Sequence, residues 1–148
     1  MDVMHVALSP DLSQHSQGFV AFVDKLMEKQ ITDGLPIVTI YVFGQQDTKP
    51  THLLDECTSL FVKLAHHPLV DKHHVKLSVM GKWYDLSDDL VQAIKTAIMS
   101  TKDYDGSFLN FCINYDGQDD IVESAKLVTR KVLTGKMSLD DITTDAIK

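Results

Sequence analysis

Basic residues are in short supply: 14 Lys and Arg stand against 21 Asp and Glu, a formal net charge of −7. That balance excludes the broad electropositive face with which proteins hold nucleic acid or an anionic bilayer, so membrane contact is at most peripheral. Any site for a phosphate group must then be local. Cysteine is nearly absent: Cys57 and Cys112 are the two in 148 residues, the first in an apolar helical stretch and the second in an apolar strand-like one. Two such thiols, with no charged leader at the start of the chain, exclude a disulfide framework and predict a reducing, cytoplasmic setting. No apolar run approaches the ~18 residues of a membrane span. The seven glycines form neither a P-loop nor a dinucleotide fingerprint. The Gly-x-Ser-x-Gly elbow of many hydrolases is missing too.

What is there suits one globular domain covering 1–148. The chain is 44% hydrophobic and 24% charged, and at this length roughly 70% of the unfolded surface can be buried without staples. Runs of strand-forming residues alternate with helical stripes. Val3 to Ser9 reads as a first strand buried on both faces. A helix follows from Ser16 or Gln17 to about Gln30, with Phe19, Val20, Phe22, Val23, Leu26 and Met27 at helical spacing, ended by Asp33-Gly34. Ile37 to Phe43 is the clearest strand, and its nearly continuous apolar character suits a parallel strand covered on both faces.

Pro50 and Thr51 open a second helix with the stripe Leu53, Cys57, Leu60, Phe61, Leu64. His66-His67-Pro68 ends it, and a loop carrying His73-His74 leads to a strand over Val75–Met80. Ser87, followed by Asp88 and Asp89, starts another helix. Phe108 to Ile113 is a fourth strand, Asn114 to Gly117 a turn, and Asp119-Asp120 the acidic start of a further helix. Ser138-x-x-Asp141 opens one more. The order predicts an α/β fold: a mostly parallel sheet of about four strands with helices on both faces. In such sheets ligands gather at the carboxyl ends of the strands. The order of the strands is not written in the pattern.

Chemistry-bearing residues are few. Adjacent histidines point apart, and neither pair comes with a thiolate or carboxylate at zinc-site spacing, so both pairs read as loop residues. The acidic pairs at 88–89, 119–120 and 140–141 each fall at a helix start, where they complement the dipole. Asp11 differs, because it lies in the loop that leaves the first strand at the ligand edge. The loop after the second strand, Gln45 to Lys49, reaches the same edge, and Lys49 offers the positive charge a diphosphate needs.

Leu109-Asn-Phe-Cys-Ile-Asn-Tyr-Asp-Gly-Gln-Asp-Asp-Ile-Val122 resembles the Leu-Asn-Ile-Ala-x-Asn-Tyr-Gly-Gly-Arg-x-Glu-Ile-Val segment of the cis-prenyltransferases, the undecaprenyl diphosphate synthase family. His5-Val-Ala-Leu8, the strand Leu35 to Phe43 and the strand with its helix from His74 to Leu90 resemble further segments of that family, in the same order. The resemblance implies condensation of an allylic diphosphate with isopentenyl diphosphate, with Mg²⁺ held by the aspartate of an Asp-Gly-Asn-x-Arg loop. That loop falls on Asp11-Leu12-Ser13-Gln14-His15, so Asp11 takes the catalytic, metal-binding place. A leucine stands for the glycine, and His15 for the arginine. Lys49 stands for the arginine of a second loop whose asparagine and tryptophan are missing. His15 and Lys49 become the expected substrate contacts. The Gly-Gly-Arg of the first segment is Asp116-Gly117-Gln118. The family's final strands and its Arg-(x)5-Arg-x-Ser motif have no counterpart in these residues.

Two readings follow. In one, the chain is a cis-prenyltransferase-like protein of isoprenoid diphosphate metabolism that binds or helps to process a prenyl diphosphate with altered site loops. In the other, it is a non-catalytic partner or regulatory subunit that keeps the fold alone. The first takes its missing parts from a second chain, and the second predicts self-association or a partner protein chain at an exposed sheet edge. The 148 residues also fit a part of a longer enzyme.

Overall fold

The computed structural model describes residues 4–12 and 18–143. Its strands are β1 (His5–Leu8), β2 (Ile37–Gly44), β3 (Val75–Met80) and β4 (Ser107–Tyr115). Its helices are α1 (Phe19–Thr32), α2 (Thr51–Leu64), α3 (Pro68–His73), α4 (Asp88–Ser100) and α5 (Gly117–Leu133). Every pairing is parallel, in the order β1-β2-β4-β3. This is the α/β class that the alternation predicts. The chain divides into two compact units, one ending at Tyr115 and one beginning at Asp116.

In the first unit, alternate strand residues and three helical stripes make a single buried cluster. Val38, Ile40 and Val42 of β2, Leu109, Phe111 and Ile113 of β4, and Val75 and Leu77 of β3 meet the stripes of α1, α2 and α4. All five residues of the predicted α2 stripe are buried. Phe61 meets Phe111 edge-on with centroids 5.1 Å apart, a geometry worth about 0.5–1.5 kcal/mol beyond the area it buries.

The opposite faces of these strands carry His5, Thr39, Asn110, Lys76 and Ser78, none of them buried. There the His5 ring nitrogen and Thr39 Oγ1 are 2.8 Å apart, and Asn110 Nδ2 donates to the same hydroxyl at 3.2 Å. Among the described residues of this unit, the helices therefore lie over one face of the sheet. Ile37, Tyr41 and Phe108 interleave with the polar residues and make the runs look continuously apolar. The same alternation corrects the reading of β1, which is exposed or half-buried along its length and not covered on both sides.

Several boundaries shift for identifiable reasons. The expected start of α1 at Ser16 or Gln17 lies outside the described residues; the helix is described from Phe19, after Gly18 at φ 91°. The stretch at 68–73, read as loop, is α3. Pro68 sits in its first turn, and His67 Nδ1 accepts the Leu69 N–H at 3.2 Å. β4 continues to Tyr115, two residues beyond the expected strand. The left-handed residue at its end is Asn114, at φ 51°, and not Gly117. Asparagine tolerates that conformation better than most side chains. Asn114 Nδ2 donates to Lys82 O at 2.9 Å, and Lys82 N–H donates back to Asn114 O at 3.1 Å. Gly81, at φ 104°, lies so close that a Cβ there would stand 2.3 Å from Ile113 O.

In the second unit Asp116 caps α5, accepting the Gln118 N–H at 2.8 Å. Asp119 and Asp120 in the first turn and Arg130 and Lys131 in the last complement both ends of the helix dipole. Ser138 and Asp141 form a reciprocal cap, but what it opens is a 3-10 turn, Leu139–Asp141, in place of the expected helix, and residues past 143 lie outside the description.

Candidate functional site

Parallel strands bring the carboxyl ends of β1 and β2 to one edge, and the two loops that leave them enclose a cleft of about 430 Å³. Ser9, Pro10, Asp11 and Leu12 supply one wall. Tyr41, Val42 and Phe43 with Asp47 and Thr48 supply another, and Leu53 of α2 reaches in as well. Leu12, Val42, Phe43 and Leu53 are buried, so the lining joins an apolar floor to a polar side of carboxylates and hydroxyls. A cleft of that make-up suits an amphiphilic ligand. It also puts Asp11 at the edge where its place after β1 predicts.

The β2–α2 loop is shaped by the end of the strand. β2 slips register against β4 between Tyr41 and Phe43 and again between Phe43 and Gly44. Gly44 N–H donates to Asp47 Oδ2 at 2.6 Å, and Tyr41 hydroxyl approaches the same oxygen at 3.4 Å. Lys49 does not line the cleft. Its ammonium donates to Gln45 O at 2.7 Å and Asp47 O at 3.3 Å, and stands 5.9 Å from the centre of the Phe43 ring. Of the three residues singled out in the sequence, Asp11 lines the cleft, Lys49 is bonded within its own loop, and His15 lies outside the described residues. Asp47 and Tyr41 were not singled out. An aspartate three residues past a strand-ending glycine is a turn signal that would have pointed to the first.

Asp11 offers the hard oxygen donor that Mg²⁺ prefers. That ion is commonly held by one or two carboxylates plus the phosphates of a substrate. Among the described residues no group of three or more His, Cys, Asp or Glu side chains is placed to hold a metal by itself. The donor set therefore fits a metal that arrives with phosphate oxygens. His67 caps α3, and His74 stacks on Tyr104 with centroids 5.1 Å apart, so these two rings have structural work. Burial, then the neighbouring Glu56 carboxylate, pushes the Cys57 thiol up to about 12. It is no nucleophile near neutral pH. No helix among the described residues is long and apolar enough to cross a membrane.

A family model described as "Putative undecaprenyl diphosphate synthase" matches residues 7–148. The isoprenyl transferase of Halalkalibacterium halodurans is 31% identical over 142 residues, covering 93% of this chain and 55% of that protein. The isoprenyl transferase of Streptococcus agalactiae serotype V is 30% identical over 146 residues, covering 95% and 57%. The chain thus spans a little over half the length of these curated relatives.

Among solved structures, lavandulyl diphosphate synthase from Lavandula x intermedia, in complex with dimethylallyl diphosphate, superposes with a TM-score of 0.81 at 21% identity, over 97% of this chain and 68% of that one. A probable undecaprenyl diphosphate synthase from Campylobacter jejuni gives 0.70 at 22% identity, over 99% and 68%. At such identities the two structures establish the shared fold. With the match over residues 7–148, the chain belongs to the undecaprenyl diphosphate synthase family of prenyltransferases.

Proposed function

We propose that the cleft between β1 and β2 binds a prenyl diphosphate together with Mg²⁺, and that the protein acts in the cis-prenyltransferase reaction. The observation that carries this reading is Asp11 on the lining of an amphiphilic cleft at the carboxyl edge of the sheet. The relatives' names and the dimethylallyl diphosphate complex of the lavender enzyme support the ligand class. Condensation requires the allylic diphosphate to leave as an anion while isopentenyl diphosphate is held beside it. Mg²⁺, when bound, supplies the charge that makes this departure possible.

The chain's own residues have narrower tasks. Asp11 holds and orients the metal-bound head group. Leu12, Val42, Phe43 and Leu53 shelter the prenyl chain from water. Lys49 remains a proposed substrate contact: two of the three donors on its ammonium go to loop carbonyls, which leaves one for a phosphate. His15 remains the proposed second substrate contact, from its place in the Asp11 loop.

One observation favours the second reading, a binding partner without turnover: no Lys or Arg is among the described residues that line the cleft. Calorimetry with dimethylallyl diphosphate and Mg²⁺ tests the first point. Micromolar binding is expected, lost on chelation and weakened about tenfold or more by Asp11→Asn, as expected when a ligand of the bound ion is removed. Binding indifferent to both changes rejects the proposed site. Radiolabelled isopentenyl diphosphate then separates the two readings: product means enzyme, and binding without product means partner.

A further inference from the structure

We propose that Asp47 is the positioning residue of the cleft: its carboxylate clasps the end of β2 by holding Gly44 N–H, and so aims Tyr41 and Phe43 at the ligand. The effect on ligand binding rests on the reading above; the clasp itself can be decided without any ligand.

Three consecutive residues, Tyr41, Val42 and Phe43, line the cleft. Side chains of a regular strand alternate between faces, and two register slips against β4 break that alternation here, as slips of this kind commonly do beside a site. They also disturb the ladder at the point where Gly44 N–H needs an acceptor. Asp47 Oδ2 supplies it at 2.6 Å, a short charge-assisted bond, with the Tyr41 hydroxyl 3.4 Å from the same oxygen.

The fit leaves no slack. A Cβ on Gly44 would stand 2.5 Å from the Tyr41 hydroxyl, 3.2 Å from Asp47 Oδ2 and 3.3 Å from Tyr115 O. Asp47 N–H closes the loop from the other side, donating to Gly44 O at 3.4 Å. The Lys49 contacts with Gln45 O and Asp47 O belong to the same closed turn. One oxygen of Asp47 is thus committed to the backbone. Its work is on the wall of the cleft and not on the ligand.

The test compares wild type, Asp47→Ala and Asp47→Asn as full chains. Amide hydrogen exchange at Gly44, read by NMR without ligand, reports the clasp. Calorimetry with dimethylallyl diphosphate and Mg²⁺ reports its consequence. Asp47→Ala is expected to speed Gly44 exchange and weaken binding, each about tenfold, the scale of losing a hydrogen bond to a charged acceptor. Asp47→Asn, whose amide oxygen can take the same N–H, is expected to restore most of both. Unchanged Gly44 exchange in Asp47→Ala overturns the proposal. So does an Asp47→Asn protein that binds as weakly as Asp47→Ala while its Gly44 amide stays protected, because Asp47 would then act on the ligand by charge. If wild type binds no prenyl diphosphate, the functional reading fails, and Gly44 exchange still decides the clasp.

Discussion

A single buried thiol ties stability to pH. Cys57 is fully buried in the α2 stripe, and desolvation raises its thiol from 9.0 to about 12. The native state therefore favours the protonated form. The stabilisation is fully present below pH 9.0 and is lost as pH rises through about 12. Within that window the slope is about 1.4 kcal/mol per pH unit. Urea unfolding of wild type and Cys57→Ala across the window checks this: the difference between them should change with that slope, and a constant difference refutes it. Residue by residue, the sequence shows the type of chemistry better than its commitments. Asp11 is legible because a βα loop delivers its side chain to a known edge. The bonds of Lys49 to Gln45 O and Asp47 O are not, since a lysine five residues past the glycine that ends a strand looks the same whether it faces a ligand or its own loop.

Among the elements, β3 illustrates how an outer strand is finished. Its Leu77 N–H goes to Thr101 Oγ1 at 3.1 Å, and that hydroxyl donates in turn to Ala97 O at 3.1 Å, in a fully buried position at the end of α4. Thr101→Val keeps the shape and strands the Leu77 amide. The expected loss is about 1–3 kcal/mol in urea-induced unfolding, and a change under about 0.5 kcal/mol would refute the role. Strands and long helices were legible because their apolar periodicity is strong. α3 was not, because six residues are too few to show a helical stripe, and Pro68 suits a loop as readily as the first turn of a helix. That α1, α2 and α4 share one face of the sheet was hidden for a related reason: the large side chains of Ile37, Tyr41 and Phe108 share the other face with Thr39, Asn110 and Lys76. Strand order was beyond reach, since four parallel strands with similar runs can be shuffled without changing any local signal.

For the whole molecule, every residue of the buried cluster precedes Asn114. The unit that ends at Tyr115 should accordingly fold alone. Residues 1–115, expressed by themselves, are expected to unfold in urea in one cooperative step within about 2 kcal/mol of the full chain. A broad, non-cooperative transition would contradict this. The family was legible from one segment around β4 and from the order of the others, because the resemblance lies mainly in the strands, while the Asp11 loop and the turn at Asp116 to Gln118 depart from it.

A last consequence comes from the shortness of β1. It has four residues, is bonded along one side to β2, and has no buried side chain. This strand nevertheless leads directly into Asp11. Amides on so slight an edge open at small free-energy cost, and only the docked strand presents Asp11 to the cleft. Under the proposed function, ligand affinity at this edge is a product of two equilibria, the docking of β1 and the intrinsic grip of the site. A substitution that merely seats β1 more firmly can tighten binding without touching the ligand.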